Sequence, residues 1–155
     1  MPFDSLGDFI KAADAAGEVQ FVDGADLELD VGGLTELMAE RSGPMLVFDK
    51  FAGYPAGHRV CANANRTIRR FALAMDLPID IHPLELLRRW RDKRAGSVPL
   101  SPNVVKDGPV LGNVQQGDEV DIESFPAPRW HPGDRGALHR HAGHGDRARP
   151  RAGLG

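Results

Sequence analysis

Glycine and proline divide the first 96 residues of this chain into short apolar segments, and the spacing within each segment limits what it can form. Apolar residues recur at helical spacing in four of them: "LGDFIKAADAAG", "DVGGLTELMAERSG", "NRTIRRFALAMDLP" and "HPLELLRRWRDKRAG". Three shorter segments, "EVQFVD", "MLVFDKF" and "HRVCAN", have the composition of strands. This mixture of helices and short strands predicts an α/β domain, with α+β as the alternative.

The ends of the predicted helices carry capping and breaking residues. Gly32 and Gly33 weaken the first turn of the second helix because glycine has a low helix propensity. Neither the G-x-G-x-x-G pattern nor the G-x-x-x-x-G-K-[ST] pattern surrounds them, so a phosphate-binding loop is not predicted. The remaining caps and stops are Asp4, Gly17, Asp30, Gly43, Pro44, Pro78, Pro83 and Gly96.

The periodicity also predicts which side chains form the core of this domain, because residues on one face of a helix or strand are buried together. The predicted core residues are Leu6, Phe9, Ile10, Leu34, Leu37, Leu46, Phe48, Ile68, Phe71, Leu84, Leu87 and Trp90.

A change in composition predicts the domain organisation. Residues 97 to 109 are rich in proline and glycine, which is typical of a boundary. The predicted units are therefore a domain over residues 1–96 and a linker over 97–108, and a second region begins at 109. In that region the segments "PVLGNVQQG" and "EVDIESFP" are predicted to form two short strands.

Composition excludes several classes of protein. The 155 residues carry a net charge of -3 with a pI of about 6.0, which gives no basic field for nucleic acid. No membrane span and no signal peptide are predicted, so the expected location is the cytoplasm. Cys61 is the single cysteine, which rules out an intrachain disulfide, and its apolar surroundings favour a strand filler over a nucleophile.

Two groups of charged residues could form a functional site or could simply be exposed to solvent. "RRWRDKR", from Arg88 to Arg94, could stack and bind nucleic acid, but helical spacing favours a solvated face with Trp90 on the apolar side. Residues 118–123 contain four acids, Asp118, Glu119, Asp121 and Glu123. Their alternation with Val120 and Ile122 favours an exposed strand face over paired catalytic acids.

No residue is predicted to be catalytic, cofactor-binding or metal-binding. His58 and His82 have no cysteine, histidine or carboxylate at ligand spacing, which indicates structural or surface roles.

The most specific string is "GPVLGNVQQGDEVDIESFPAPRWHPGDRG", which resembles the UbiD family of decarboxylases. Arg135 departs from the glycine usual in that family. The earlier helices and strands resemble the family's N-terminal domain in order and character, so the resemblance covers about residues 3 to 136. The matching positions of the string are Pro109, Val110, Asn113, Gly117, Asp118, Val120, Asp121, Ile122, Phe125, Pro126, Pro128, Trp130, His131, Asp134 and Gly136.

The resemblance implies a reversible, non-oxidative carboxy-lyase acting on an aromatic or α,β-unsaturated acid with prenylated flavin mononucleotide, a divalent metal such as Mn²⁺, and K⁺. Residues 109–136 would be the first strands of a truncated split-barrel flavin-binding domain. The family's Glu-Arg-Glu network and metal ligands come after a downstream "RYIGT" segment, so no cofactor is expected on this chain and the chain alone is expected to be inactive. Phe125 and Trp130 would then lack the domain that normally packs against them. This predicts self-association, or contact with the missing domains, through residues 109–134.

After Gly136 the chain reads "ALHRHAGHGDRARPRAGLG" where the family has "RYIGT". With a suitable choice of codons for this tail, translation one base later gives "RYIGTRAMVIARDPERGW". We therefore predict that residues 137–155 are an out-of-frame tail with no regular fold. The alternative is a zinc or nickel site at His139, His141 and His144.

A second hypothesis for the whole chain is a non-catalytic interaction subunit of a larger complex.

Overall fold

The structure of the protein is a computed structural model that describes residues 3–121 and 124–134. The tail that the sequence analysis predicts to be out of frame, with the three histidines of the alternative metal site, lies outside these residues. The helices are α1 (Leu6–Ala15), α2 (Asp30–Glu40), α3 (Ile68–Ala74) and α4 (Pro83–Ala95). The strands are β1 (Val19–Asp23), β2 (Met45–Asp49) and β3 (Val60–Ala62).

The three strands form one mixed sheet with β2 in the centre. β1 and β2 run parallel, with Val19 opposite Met45, and α2 forms the crossover between them. β2 and β3 run antiparallel, with Leu46 opposite Ala62. All five residues of β2 are buried, which is expected of a strand that is paired on both edges and covered on both faces. The predicted α/β class is confirmed.

Two apolar clusters cover the two faces of the sheet. Leu46 and Phe48 point to one face, where they pack with Val31 of α2. Met45 points to the other face and packs with Phe9 and side chains of α1 and α3. Because successive strand residues alternate between faces, the continuous apolar run of β2 supplies both clusters.

The helix ends agree with the predicted caps only in part, because the N-caps of α1 and α2 are Ser5 and Leu29 and not the predicted Asp4 and Asp30. Ser5 accepts a hydrogen bond from the Asp8 backbone N–H at the start of α1, and Thr67 caps α3 in the same way. Pro83 occupies the first turn of α4, as predicted, where its missing N–H costs nothing. His82 caps this helix through Nδ1, which confirms a structural role for that histidine.

The predicted core is correct for the sheet and wrong for parts of the helices. Phe9, Leu46 and Phe48 are buried, and four more of the predicted residues are partly buried: Ile10, Leu34, Leu37 and Phe71. Five predicted core residues are exposed instead: Leu6, Ile68, Leu84, Leu87 and Trp90.

The error in α4 has a clear physical cause. Leu86 is the residue of α4 that is buried, and Lys93 on the same side donates to the Met75 carbonyl oxygen over 2.6 Å. Leu84 and Leu87 lie on a different face and are 61% and 58% exposed. The adjacent leucines allow two apolar stripes around the helix, and the periodicity selected the wrong one.

The two strands predicted after residue 108 are also wrong within the described residues. Pro109–Gly112 and Gly117–Glu119 are short 3₁₀ helices. The acidic side chains at 118, 119 and 121 are exposed, as predicted, but on turns and irregular backbone rather than on a strand. No helix in the described ranges is long and apolar enough to cross a membrane.

Candidate functional site

The segment that carries the family string returns to the N-terminal domain and closes against α2. The Arg129 backbone N–H donates to the Leu27 carbonyl oxygen over 2.7 Å, and Arg129 forms an isolated parallel bridge with Glu28. An Arg129 guanidinium N–H also donates to a Glu28 carboxylate oxygen over 3.4 Å. We call this contact between residues 129–130 and residues 27–32 the clasp.

The loop before α2 presents the backbone that the clasp uses. Asp26 accepts a hydrogen bond from the Glu28 backbone N–H over 2.8 Å, and Asp30 accepts one from the Asp26 backbone N–H over 3.1 Å. Leu29 has a φ of 109°, a left-handed conformation that is unusual for a leucine and turns the chain sharply into the helix. The Val31 backbone N–H donates to the Asp26 carbonyl oxygen over 3.4 Å, and the next carbonyl oxygen, that of Leu27, accepts from Arg129.

Gly32 makes the clasp possible because it has no side chain. A Cβ atom at Gly32 would stand 1.9 Å from the Trp130 carbonyl oxygen and 2.7 Å from its Cα atom. The Trp130 side chain is partly buried against the cluster that contains Leu27, Val31 and Phe48. In the sequence Gly32 looks like a weak point of the helix, and its role is missed there, although glycine is the residue that permits close backbone approach.

The expectation that Phe125 and Trp130 are both left uncovered is therefore half correct. Phe125 is 62% exposed and makes an edge contact with the His58 ring, with 6.0 Å between the ring centroids. Trp130 is instead partly covered by the N-terminal domain itself. His58 is held by its own loop, where Nδ1 lies 3.1 Å from the Pro55 carbonyl oxygen.

A hub of hydrogen bonds at Asp49 fixes the end of β2 and the loop that carries His58. One Asp49 carboxylate oxygen accepts from the Lys50 and Gly57 backbone N–H groups over 2.7 and 2.9 Å. The other accepts from Arg59 Nε over 2.7 Å. The Arg59 hydrogen bond, followed by the two backbone bonds, lowers the pKa of Asp49 from 3.8 to about 2.

We predict that replacing Asp49 with asparagine lowers the unfolding temperature at pH 7 by several degrees. The unfolding temperature of this variant should also depend less on pH between pH 4 and pH 2 than that of the wild type. A carboxyl whose pKa is 3.8 unfolded and about 2 folded stabilises the fold fully above about pH 4. That contribution disappears as the pH falls from about 4 to about 2. Thermal unfolding followed by circular dichroism between pH 7 and pH 2 tests this.

The matched control is Asp14→Asn, an exposed position on α1. Asp14→Asn should follow the wild-type curve. Equal slopes for Asp49→Asn and wild type between pH 4 and pH 2 would contradict the role given to the hub.

Metal ligands are not grouped within the part of the chain that the structure describes, and the groove beside Phe3 and Phe9 does not suit a flavin phosphate. Among residues 3–121 and 124–134, no three His, Cys, Asp or Glu side chains are grouped so that they could hold a metal ion. An apolar groove of about 340 Å³ lies beside Phe3 and Phe9, but the charged residue of its lining is Asp4, which repels a phosphate. The buried guanidinium of Arg70 is engaged by Glu18 and by the Gly43 carbonyl oxygen. We therefore assign no cofactor chemistry to these residues.

Cys61 lies on β3 and is partly buried, as predicted for a strand filler. Burial raises the pKa of its thiol, which keeps it protonated and a poor nucleophile near neutral pH.

Comparison with known proteins identifies the family. The family described as 3-octaprenyl-4-hydroxybenzoate carboxy-lyase N-terminal domain, the N-terminal domain of the UbiD proteins, matches residues 10–90. The chain belongs to the UbiD family.

Relatives of known function agree with this assignment. Pyrrole-2-carboxylic acid decarboxylase of Pseudomonas aeruginosa is 32% identical over 120 residues, which cover 72% of this chain and 24% of that protein. The chain spans about a quarter of the length of this relative.

The fold is shared with solved structures. Two open-form structures of vanillic acid decarboxylase from Sedimentibacter hydroxybenzoicus match with TM-scores of 0.74 and 0.73 and identities of 21% and 22%. Each match covers 84% of this chain and 28% of the other. The fold of this chain is therefore that of the corresponding part of a much longer decarboxylase subunit.

Proposed function

We propose that this chain is the N-terminal module of a UbiD-like decarboxylase, whose intact form removes carbon dioxide reversibly and without oxidation from an aromatic or α,β-unsaturated acid. The observation that carries the proposal is the family match over residues 10–90. The named activities of the relatives, on pyrrole-2-carboxylic acid and vanillic acid, support an aromatic acid. The intact enzyme would use prenylated flavin mononucleotide with Mn²⁺ and K⁺, in keeping with the family resemblance, and act in the cytoplasm.

The module supplies position rather than chemistry. The clasp ties residues 129–130 to α2, so it sets where the chain leaves the N-terminal domain and enters the flavin-binding domain of an intact enzyme. The segment before it, residues 109–125, exposes large apolar side chains to solvent: Val110, Leu111, Val114, Val120 and Phe125. We propose residues 109–134 as the surface on which further domains, or further copies, pack.

The 155-residue chain by itself should neither retain flavin nor release carbon dioxide. Proton transfer needs a positioned carboxylate with a tuned pKa, and the family-string acids Asp118 and Glu119 are exposed to water. The purified chain would be incubated with prenylated flavin mononucleotide, Mn²⁺ and K⁺ and passed through gel filtration. Flavin absorbance and carbon dioxide release from a panel of aromatic and acrylic acids would then be measured.

The Pseudomonas aeruginosa pyrrole-2-carboxylic acid decarboxylase, taken through the same steps, is the positive control. Retained flavin with turnover above background in this chain would overturn the proposal, because the described residues would then belong to an active site.

We also propose that residues 137–155 are translated out of frame. Resequencing the gene across the codon for Gly136 and into the downstream DNA tests this directly. A continuing frame that reads "RYIGT" followed by the missing family domains supports a truncated decarboxylase. An intact frame through the tail and no such downstream sequence would favour the second candidate function, a non-catalytic interaction subunit, which the exposed apolar surface of residues 109–125 also suits.

A further inference from the structure

α4 has a solvent-exposed face that combines leucine and arginine, and on it Arg88 pairs with Glu85 and Arg91 with Asp92 of the same helix. Leu84, Leu87, Arg88 and Arg91 are spaced so that they share one side of the helix. Both leucines are more than half exposed, and the Arg88 and Arg91 side chains are 69% and 75% exposed. α4 holds five basic residues against two acidic ones, although the whole chain has a net charge of -3. We call these four residues the α4 face.

The segment from Asp107 to Asp121 has the complementary character. It contains four carboxylates and no lysine or arginine. Val110 and Leu111 of this segment are 84% and 56% exposed. The second 3₁₀ turn, Gly117–Glu119, places two of the acids side by side. We call residues 107–121 the acidic segment.

We propose that two copies of this chain associate by placing the α4 face of each copy against the acidic segment of the other. The proposal builds on the role given above to residues 109–134 as a contact surface, and it names the counterpart of that surface. Leucine then packs on valine and leucine, while arginine guanidinium groups meet carboxylates at the rim.

The charges of the two surfaces favour a second copy of the chain as the binding partner. Both surfaces are exposed within one copy, so neither covers the other in the single chain. Each copy carries one basic and one acidic surface, and a two-fold arrangement satisfies all four surfaces at once and closes without further growth. Two copies with a net negative charge repel each other at long range, so the attraction must be local to these surfaces and sensitive to salt.

Sedimentation velocity of the full chain, over a range of protein concentrations, tests the proposal. The wild-type chain should form a dimer whose dissociation constant rises about tenfold between 50 and 500 mM NaCl as the charges are screened. Arg88→Glu with Arg91→Glu should weaken the dimer by at least about tenfold, and so should Asp118→Lys with Glu119→Lys. All four positions are exposed, so the fold should tolerate these changes, which circular dichroism would verify.

Mixing the two charge-reversed variants separates this interface from any other. In the mixture, the α4 face that has become acidic meets the segment 107–121 that has become basic, and the two unchanged surfaces meet each other. A heterodimer should therefore form with an affinity within about threefold of that of the wild-type dimer. Arg41→Glu with Arg66→Glu makes the same change in net charge at exposed positions elsewhere and should leave the wild-type dimer unchanged. A monomeric wild-type chain, a dimer that ignores both reversals, or a mixture that does not recover would each overturn the proposal.

Discussion

Replacing Gly32 with alanine is expected to destabilise the protein by about 1–3 kcal/mol, whereas the same replacement at Gly33 is expected to stabilise it by about 0.5–1 kcal/mol. Both glycines lie in the first turn of α2, where alanine has the better helix propensity. A Cβ at Gly32 would overlap the Trp130 backbone, but a Cβ at Gly33 meets nothing within 4 Å. The two substitutions are chemically identical. If they change the free energy of unfolding in opposite directions, the difference is due to the contact between Gly32 and Trp130.

The measurement uses the fluorescence of Trp130 in a Trp90→Phe background, since these are the two tryptophans of the chain. Gly32→Ala should shift the Trp130 emission to longer wavelength, because the indole leaves the apolar cluster for water, and should lower the urea midpoint. Gly33→Ala should keep the wild-type emission and raise the midpoint. If both variants keep Trp130 buried, the close contact at Gly32 is not what holds residues 129–130 in place.

The clasp shows what a single sequence can and cannot reveal about this chain. The string around Trp130 is specific enough to indicate the family, and the sequence alone places it at the start of a second region. The structure places Trp130 and Arg129 against α2 of the first domain. Local periodicity carries no information about a contact between residues 101 positions apart, and the one local sign of it is a glycine that looks like a defect in the helix.

The sheet was predictable because its signals are local and strong. The apolar run of β2 and the Gly-Pro break before it indicate a buried central strand wherever the partners come from. α4 was not predictable to the same degree, since Leu84, Leu86 and Leu87 together allow more than one buried stripe. Which stripe is buried depends on the neighbouring α3 end, where Lys93 reaches the Met75 carbonyl oxygen.

Arg70 is the second feature that periodicity missed. Arg69 and Arg70 are adjacent and look equivalent in the sequence, yet their side chains are 44% and 0% exposed. Arg70 can be buried because Glu18, immediately before β1, gives it a carboxylate partner 2.9 Å away. An arginine in a helix is normally expected at the surface, and the distant partner that reverses this expectation is 52 positions earlier in the chain.

We expect Glu18→Gln to be among the most damaging single substitutions in this protein, with a cost of about 3–5 kcal/mol in the free energy of unfolding. Arg70 donates from Nη1 to Glu18 and to the Gly43 carbonyl oxygen, while its Nε and Nη2 have no hydrogen-bond partner within the described part of the chain. The carboxylate is therefore the charge that compensates a fully buried cation. An amide at position 18 can still accept a hydrogen bond but leaves that cation unpaired.

Removing the cation instead should cost much less. In Arg70→Met a flexible apolar side chain fills most of the space, and Glu18 keeps its ion pair with Arg69 over 2.5 Å. The double variant Glu18→Gln, Arg70→Met should then be more stable than Glu18→Gln alone, since no buried charge is left unpaired. Asp80→Asn, which removes the exposed partner of Arg69, is the control and should change stability by less than about 0.5 kcal/mol. Urea unfolding of the four variants decides the point: if Glu18→Gln and Arg70→Met cost the same and their effects add, the pair contributes by packing and not because a buried charge needs its partner.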